Sequence, residues 1–413
     1  MTVEASVAEL ERVYRAEATR IRAALAAKIG DVGLAEECVH DAFAEAIEHW
    51  RDGVPPNPGG WLTTTARRKA IDHLRRKRVG EEKLSLLGPS EDHTAAPDDG
   101  EELLSLVFAC CHPALPRESQ VALTLRAVCG LTTAEIAAAH LTSEATMAQR
   151  LTRARRTLRE TVGVVRMPDP DELGDRLAEV LAVTYLVFNE GYLASAARTP
   201  QRRDLAEQAI TLARTLHQLM PTEPEALALL AMMLFHESRA STRFDGWGRL
   251  VRLEDQDRER WDVALIDEAT ALLDRALAMR RPGRYQIEAA IAALHAQAAD
   301  YGGTDWRQIR ILYDTLDQFA PSPVVRLNRA VATRYVSGPA AALAEVDALA
   351  DAIGDYRLFH AVRGELLEAL GRVGDAREAI ERALALATNP AERELLARRI
   401  GTPPSDRSDA ATQ

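Results

Sequence analysis

The amino-acid sequence predicts an all-α protein built from more than one helical domain. Three observations carry that expectation. Aromatic residues make up only 5% of the 413 positions while alanine and leucine are abundant, a composition that favours helix over strand. Apolar residues recur at spacings of three and four along most of the chain, the period of a helix with one buried stripe. Proline and glycine gather at a few places, chiefly 53–60, 88–100 and 167–170, and so divide the helices into groups.

Residues 8–50 read as two helices broken near Gly30–Gly33. The second carries Leu34, Cys38, Ala42, Ala46 and Ile47 at helical spacing, and Glu36, Glu37, Asp41, Glu45 and Glu48 give it an acidic face. Such a helix is either half-buried or docked on a basic partner. A turn rich in proline and glycine (Pro55, Pro56, Pro58, Gly59, Gly60) leads to the stretch 59–78, GGWLTTTARRKAIDHLRRKR. There Leu62, Ala66, Ala70 and Leu74 recur every four positions and make one apolar stripe. Seven arginines and lysines (67, 68, 69, 75, 76, 77 and 78) stand against the single Asp72, in a chain whose formal charge is −11. A solvated face is the plainer account of a charge run. One-signed cations beside threonines, with Trp61 at the helix entry, suit a surface that follows phosphates and touches bases.

Residues 80–100 change character, with Gly80, Gly88, Pro89, Pro97 and Gly100 among acidic side chains, and read as a flexible acidic linker. Beyond it, 101–165 forms a second small unit. Pro116 opens a helix that runs through Val121 and Leu125 to a cap at Gly130. Thr132 followed by Glu135 is a capping box for a short helix over 134–140. After a turn at 141–143 the helix 144–160 buries Met147, Leu151, Ala154 and Leu158. Its outer face carries Thr146, Gln149, Arg150, Arg153, Arg156 and Arg159. Two helices, a short turn and a basic second helix form a helix-turn-helix layout, and those side chains can bond base edges.

A second boundary falls at Met167–Pro170, after which the chain reads as successive amphipathic helices: 174–188, 203–219, 223–240, 262–279, 285–299, 305–319, 323–336, 339–351, 355–370 and 374–387. Gly338 and Gly371 stand 33 residues apart, and Gly364, Gly371, Ala376 and Ala383 fit the small-residue positions of a tetratricopeptide repeat. An α-solenoid over 172–400 is therefore expected, with 401–413 as a disordered tail.

Several function classes find no support in the sequence. No apolar run approaches the length of about 18 residues that a membrane span requires, and residues 1–15 lack the layout of a secretion signal, so a cytoplasmic protein with no membrane partner is expected. Cys38, Cys110, Cys111 and Cys129 form no CxxC pair, and Cys110-Cys111-His112 lacks zinc spacing, so neither metal nor other cofactor is expected. His236-Glu237 is followed by Ser238 with no second histidine in zincin register. Asn189-Glu190-Gly191-Tyr192 and the stretch from Glu254 to Arg258 are polar and site-like, yet no nucleophile–base pair or phosphate loop accompanies them, so no enzyme is expected.

Taken in order, an acidic helix, a basic Trp-led helix, a linker and a helix-turn-helix resemble a bacterial extracytoplasmic function sigma factor. Residues 31–50 resemble that family's clamp on core RNA polymerase, 59–78 its −10 reader and 131–160 its −35 reader. The resemblance implies a transcription initiation factor. Glu36, Glu37 and Asp41 would face the polymerase, Trp61, Arg67, Arg68, Arg75 and Arg76 the melted −10 element, and Thr146, Gln149, Arg150 and Arg153 the −35 element. Domains of 1–79 and 101–165 would correspond to regions 2 and 4. One departure is Leu141, where most such turns have a glycine, which accepts positive φ cheaply. The remainder resembles the subgroup with a fused tetratricopeptide-like domain, which implies a regulatory tail that contacts a protein segment, the chain's own front half included. Two other readings stand beside this one: a helix-turn-helix regulator that does not dock on polymerase, and a ligand-binding or enzymatic domain over 172–400 with the front half as its DNA-targeting module.

Overall fold

The computed structural model describes residues 3–50, 53–76, 99–140, 142–163, 165–192 and 203–401. Their regular structure is helical, and the only β pairing among them is an isolated bridge between Phe244 and Leu250. The expected linker at 80–100 falls almost wholly outside the described residues, as do Leu141, Lys77 and Arg78.

The chain divides into two compact units. The first takes residues 1–191 and 203–219 and holds nine described helices: α1 (Val3–Ile29), α2 (Val32–His49), α3 (Pro58–Arg76), α4 (Asp99–Cys110), α5 (Arg117–Ala127), α6 (Thr133–Ala139), α7 (Glu144–Thr161), α8 (Leu173–Tyr192) and α9 (Arg203–Leu219). Helices α1 to α3 pack on one another around Ile21, Leu25, Val39, Phe43, Leu62 and Ala66. Helices α4 to α7 form a second group around Phe108, Leu123, Ile136, Met147 and Leu151. The two groups are joined, because α1 packs directly on α4.

Local signals explain where these helices start and stop. Asp31 caps α2 by accepting from the Gly33 and Leu34 amides at 3.0 and 3.1 Å. The capping box at α6 forms in both directions: the Thr132 amide donates to Glu135 at 2.7 Å, and the Glu135 amide to the Thr132 hydroxyl at 3.2 Å. Ser143 caps α7 through the Thr146 amide at 3.1 Å. Gly130, at φ 74°, makes the reversal before α6 that a side chain would strain.

The unit boundary does not fall at Pro168–Pro170, where the proline cluster suggested it. Arg176 of α8 donates to the Phe108 carbonyl at 2.6 Å, Glu179 pairs with Arg117 at 2.8 Å, and α9 packs on α4. Prolines end a helix, but they do not decide which core the next helix joins.

The second unit takes residues 192–202 and 220–413. Its described helices are α10 (Pro224–Glu237), α11 (Val263–Ala278), α12 (Arg284–Gln297), α13 (Trp306–Phe319), α14 (Pro323–Ser337), α15 (Pro339–Asp347), α16 (Ala350–Ile353), α17 (Arg357–Ala369), α18 (Val373–Leu386) and α19 (Pro390–Gly401). Each packs mainly on its neighbours in sequence, the pattern of a helical stack. The small residues do what a stack demands. A Cβ on Gly364 would lie 2.6 Å from the Ile380 side chain and 3.3 Å from the Ala376 carbonyl, so α17 and α18 meet almost backbone to backbone. Helix α19 lies beyond the last helix that periodicity gave. Its start is fixed by Asn389, which accepts from the Ala391 and Glu392 amides at 2.9 and 3.2 Å.

Candidate nucleic-acid interface

Helix α3 sorts its residues as the four-residue stripe requires. Leu62, Ala66, Ala70 and Leu74 are buried, while Arg68, Arg75 and Arg76 are exposed and Arg67 is half-exposed. Trp61 packs edge-on against Trp50 with ring centroids 5.3 Å apart and also meets His49 at 6.0 Å. It is an anchor between α2 and α3, with part of its surface left open. Glu45 of α2 pairs with Lys69 at 2.7 Å and with Arg68, and hydrogen bonds from Lys69 first and then Arg68 hold its carboxyl below the usual range.

Helix α7 buries Met147, Leu151, Ala154 and Leu158 and exposes Thr146, Gln149 and Arg153. Arg150 is half-buried and pairs with Glu118 of α5 at 2.9 Å. The outer face is thus a polar row with the donor geometry for base edges and phosphates.

The acidic helix divides differently from expectation. Glu37 and Asp41 are exposed and, with Glu48, lie on one face of α2, and Ile47 of the expected apolar stripe is 58% exposed beside them. Glu36 points the other way and is 4% exposed. Its two carboxylate oxygens each receive a guanidinium, Arg126 from α5 and Arg155 from α7. Arg126 also donates to the Leu131 carbonyl at 2.8 Å. Nearby, Asp31 pairs with Arg159 at 2.9 Å, Thr19 donates to the Val128 carbonyl at 2.9 Å, and Arg22 donates to the Ala127 carbonyl. These contacts fasten the α1–α3 group to the helix-turn-helix group. Sequence reasoning missed them, although a signal was present: Glu36 sits in a second buried stripe with Val32, Val39 and Phe43.

The adjacent cysteines pack in the core. Cys110 and Cys111 are buried, Cys111 lies 3.6 Å from the Thr124 hydroxyl, and burial pushes its thiol up to about 12. Among the described residues no group of three or more His, Cys, Asp or Glu is placed to hold a metal ion. No described helix is long and apolar enough to cross a membrane.

Comparison with known families fits this geometry. Residues 13–79 match Sigma-70 region 2, and residues 105–158 match Sigma-70 region 4. The chain belongs to the sigma-70 family. The first match covers the α1–α3 group with its basic helix, and the second covers the helix-turn-helix. A sigma factor with both regions implies core RNA polymerase and promoter DNA as partners. Residues 176–277 match a family of unknown function, DUF6596, and so run from α8 through α11. An uncharacterized protein of Rhizobium meliloti (strain 1021) is 45% identical over 372 residues, which is 88% of each chain. The likeness therefore covers most of the chain.

Proposed function

We propose that this sigma factor is of the extracytoplasmic function type and directs core polymerase to a specific set of promoters, with the helical tail regulating its activity. The observation that carries the reading is the sorting of charge on three helices of one unit. Helix α3 presents Arg67, Arg68, Arg75 and Arg76, helix α7 presents Thr146, Gln149 and Arg153, and helix α2 presents Glu37 and Asp41. A protein that must touch melted DNA, duplex DNA and a basic protein surface needs three such faces.

In this reading α3 holds the −10 element, α7 reads the −35 element, and Arg150 joins the readers by releasing Glu118. Glu37 and Asp41 meet the polymerase. Glu36 serves as a latch in the closed form and becomes available to the polymerase only when Arg126 and Arg155 let go. The helical stack offers a groove for a protein segment, as a tetratricopeptide-like array does.

The test is promoter-specific transcription with purified core polymerase. The full chain should support it, and the E37K/D41K double variant should lose polymerase association while keeping its helical content. Retained association in that variant would remove the docking face from the proposal. The tail's role is read by truncation after Leu219, which keeps α8 and α9 on the front unit. Wild-type activity and promoter choice in that truncation would sink the regulatory reading.

A further inference from the structure

In the second unit most described arginines meet a carboxylate, and those that do not include the exposed Arg260, Arg275, Arg280 and Arg307 and the half-buried Arg310. Arg284 meets Glu288 at 2.7 Å, Arg357 meets Glu392 at 2.7 Å, Arg363 meets Asp347 at 2.7 Å, and Arg399 is held by both Glu365 and Glu368. The connection between α10 and α11, residues 238–262, departs from that pattern. Its Arg249 and Arg252 do have carboxylates, Asp245 at 2.7 Å and Glu254 at 2.6 Å. Its Arg239, Arg243 and Arg258 form no ion pair with any described carboxylate, and they gather with two histidines.

The geometry of the gathering is specific. The Arg243 guanidinium lies 3.5 Å from the centroid of the Tyr192 ring and donates to the Tyr192 carbonyl at 2.8 Å. Arg239 is 5.7 Å from the same ring and reaches Nδ1 of His236 at 3.3 Å, and His236 is 5.3 Å from the ring. Arg258 donates to the carbonyls of His295 and Ala298 at 2.6 and 2.8 Å through one nitrogen, while its other terminal nitrogen is buried with no hydrogen-bond partner. His295, edge-on to Trp306 at 5.2 Å, likewise has a buried Nδ1 with no hydrogen-bond partner. Arg243 is only 7% exposed, whereas His236, Arg239, Arg258 and His295 keep part of their surface open. Buried cations ordinarily come with counter-charges, because burying them unpaired is costly.

The scaffold beneath them is fixed. Trp261 donates to the Thr242 hydroxyl at 3.0 Å, Gln256 to the Val251 carbonyl at 3.1 Å, and the Asp262 amide to the Ser238 carbonyl at 2.8 Å. A 25-residue connection pinned in this way holds its arginines in place before any ligand arrives, which reduces the ordering cost of binding.

We propose that Arg239, Arg243, Arg258, His236 and His295 form a receptor for a small oxyanionic ligand, one that carries a phosphate or carboxylate group. Guanidinium forks match both groups, and the histidines supply further N–H donors once protonated. The site belongs to the second unit, and the inference stands whether or not the front unit acts as proposed above. Two of the stretches that looked site-like in the sequence, those ending at Tyr192 and Arg258, meet here.

The electrostatics give the site a signature. Burial, then Arg239 and Arg258, pull the His295 pKa down to about 4, and burial, then Arg239, Arg243 and His295, hold His236 well below its usual value. The carboxylates that act at longer range are Glu237 toward Arg243 and Asp300 toward Arg258. A bound anion offsets the cations and raises both histidines, so binding takes up protons and tightens as pH falls toward 4.

The test titrates the full chain with inorganic phosphate, sulfate and malonate, each against chloride of equal ionic strength, by calorimetry. Saturable binding of at least one anion is expected, and preference for phosphate and sulfate over malonate, or the reverse, tells a phosphate from a carboxylate ligand. Arg239→Ala should weaken binding by about tenfold or more, whereas Arg249→Ala, on the same connection but already paired, should leave it unchanged. The titration of His295, followed by NMR in the wild-type protein, gives a readout independent of any variant. Sulfate, which does not titrate in this range, should move it upward. No saturable binding of the three anions, undiminished binding in Arg239→Ala, or an unmoved His295 under sulfate would each overturn the proposal.

Discussion

The two units use arginine in opposite ways. In the front unit half-buried guanidiniums reach across the sequence: Arg126 and Arg155 meet Glu36 over separations of 90 and 119 residues. In the tail unit many pairs are local, as with Arg249–Asp245, Arg284–Glu288 and Arg329–Glu345, and the longer ones, such as Arg357–Glu392 and Arg399–Glu365, join helices close in chain order. The difference follows from architecture. A stack of sequential helices brings nearby residues together, so its ions pair locally. Two modules that each possess a core must be tied by something long-range, and there the tie is ionic as well as apolar. Ion pairs between modules are also the contacts a competing charged surface can replace.

That contrast is open to direct attack. The largest effect is expected from Glu36→Ala, which leaves two mostly buried guanidiniums without their carboxylate. A loss of about 3–5 kcal/mol is expected for the front unit. Hydrogen exchange should locate the loss at α2, α5 and α7 and leave α10–α19 as protected as before. Equal loss in both units would mean that the front tie is not local.

Next come the exposed polar residues of α7. Gln149→Ala or Arg153→Ala should cost about 1–3 kcal/mol at a cognate promoter and relax selectivity at one base pair, whereas Arg76→Ala should weaken all sequences alike and lower the salt slope. Binding curves on matched and scrambled promoters at several salt concentrations separate the two behaviours.

A third expectation concerns pH and the tail. His295 is depressed to about 4 in the folded protein against 6.5 when unfolded, so its contribution is complete above 6.5 and lost as pH falls toward 4. The tail should lose up to about 3 kcal/mol across that window, and His295→Gln should flatten the curve. Thermal melts of the two units at a series of pH values measure it. The smallest effect belongs to the capping box: Thr132→Ala should destabilise the helix-turn-helix by about 1 kcal/mol, seen in its urea midpoint.

Most of the fold could be read from the sequence because helices announce themselves locally. The stripe Met147, Leu151, Ala154, Leu158 and the Thr132–Glu135 box needed no knowledge of distant residues, and both stand as expected. What escaped was tertiary. Nothing local to Glu36 reports that Arg126 and Arg155 converge on it, though its neighbours Val32, Val39 and Phe43 marked that face of α2 as buried. The proline cluster at 168–170 lies between α7 and α8 without ending a unit, since α8 and α9 find their partners on the front side. The arginine cluster of the tail draws on Tyr192, the 238–262 connection and α12, and no single stretch contains it.

Glu36 also governs how the molecule looks to a charged body approaching from solution. In the closed arrangement its negative charge is cancelled by Arg126 and Arg155, and α2 shows the outside world Glu37 and Asp41. The proposed opening would uncover one more carboxylate on the same helix, and at once free two guanidiniums, on α5 and α7. The two modules would therefore become more strongly and more oppositely charged at the moment they separate. Their long-range fields would then draw a basic surface to one and a phosphate backbone to the other, so that opening accelerates the encounters that keep the halves apart.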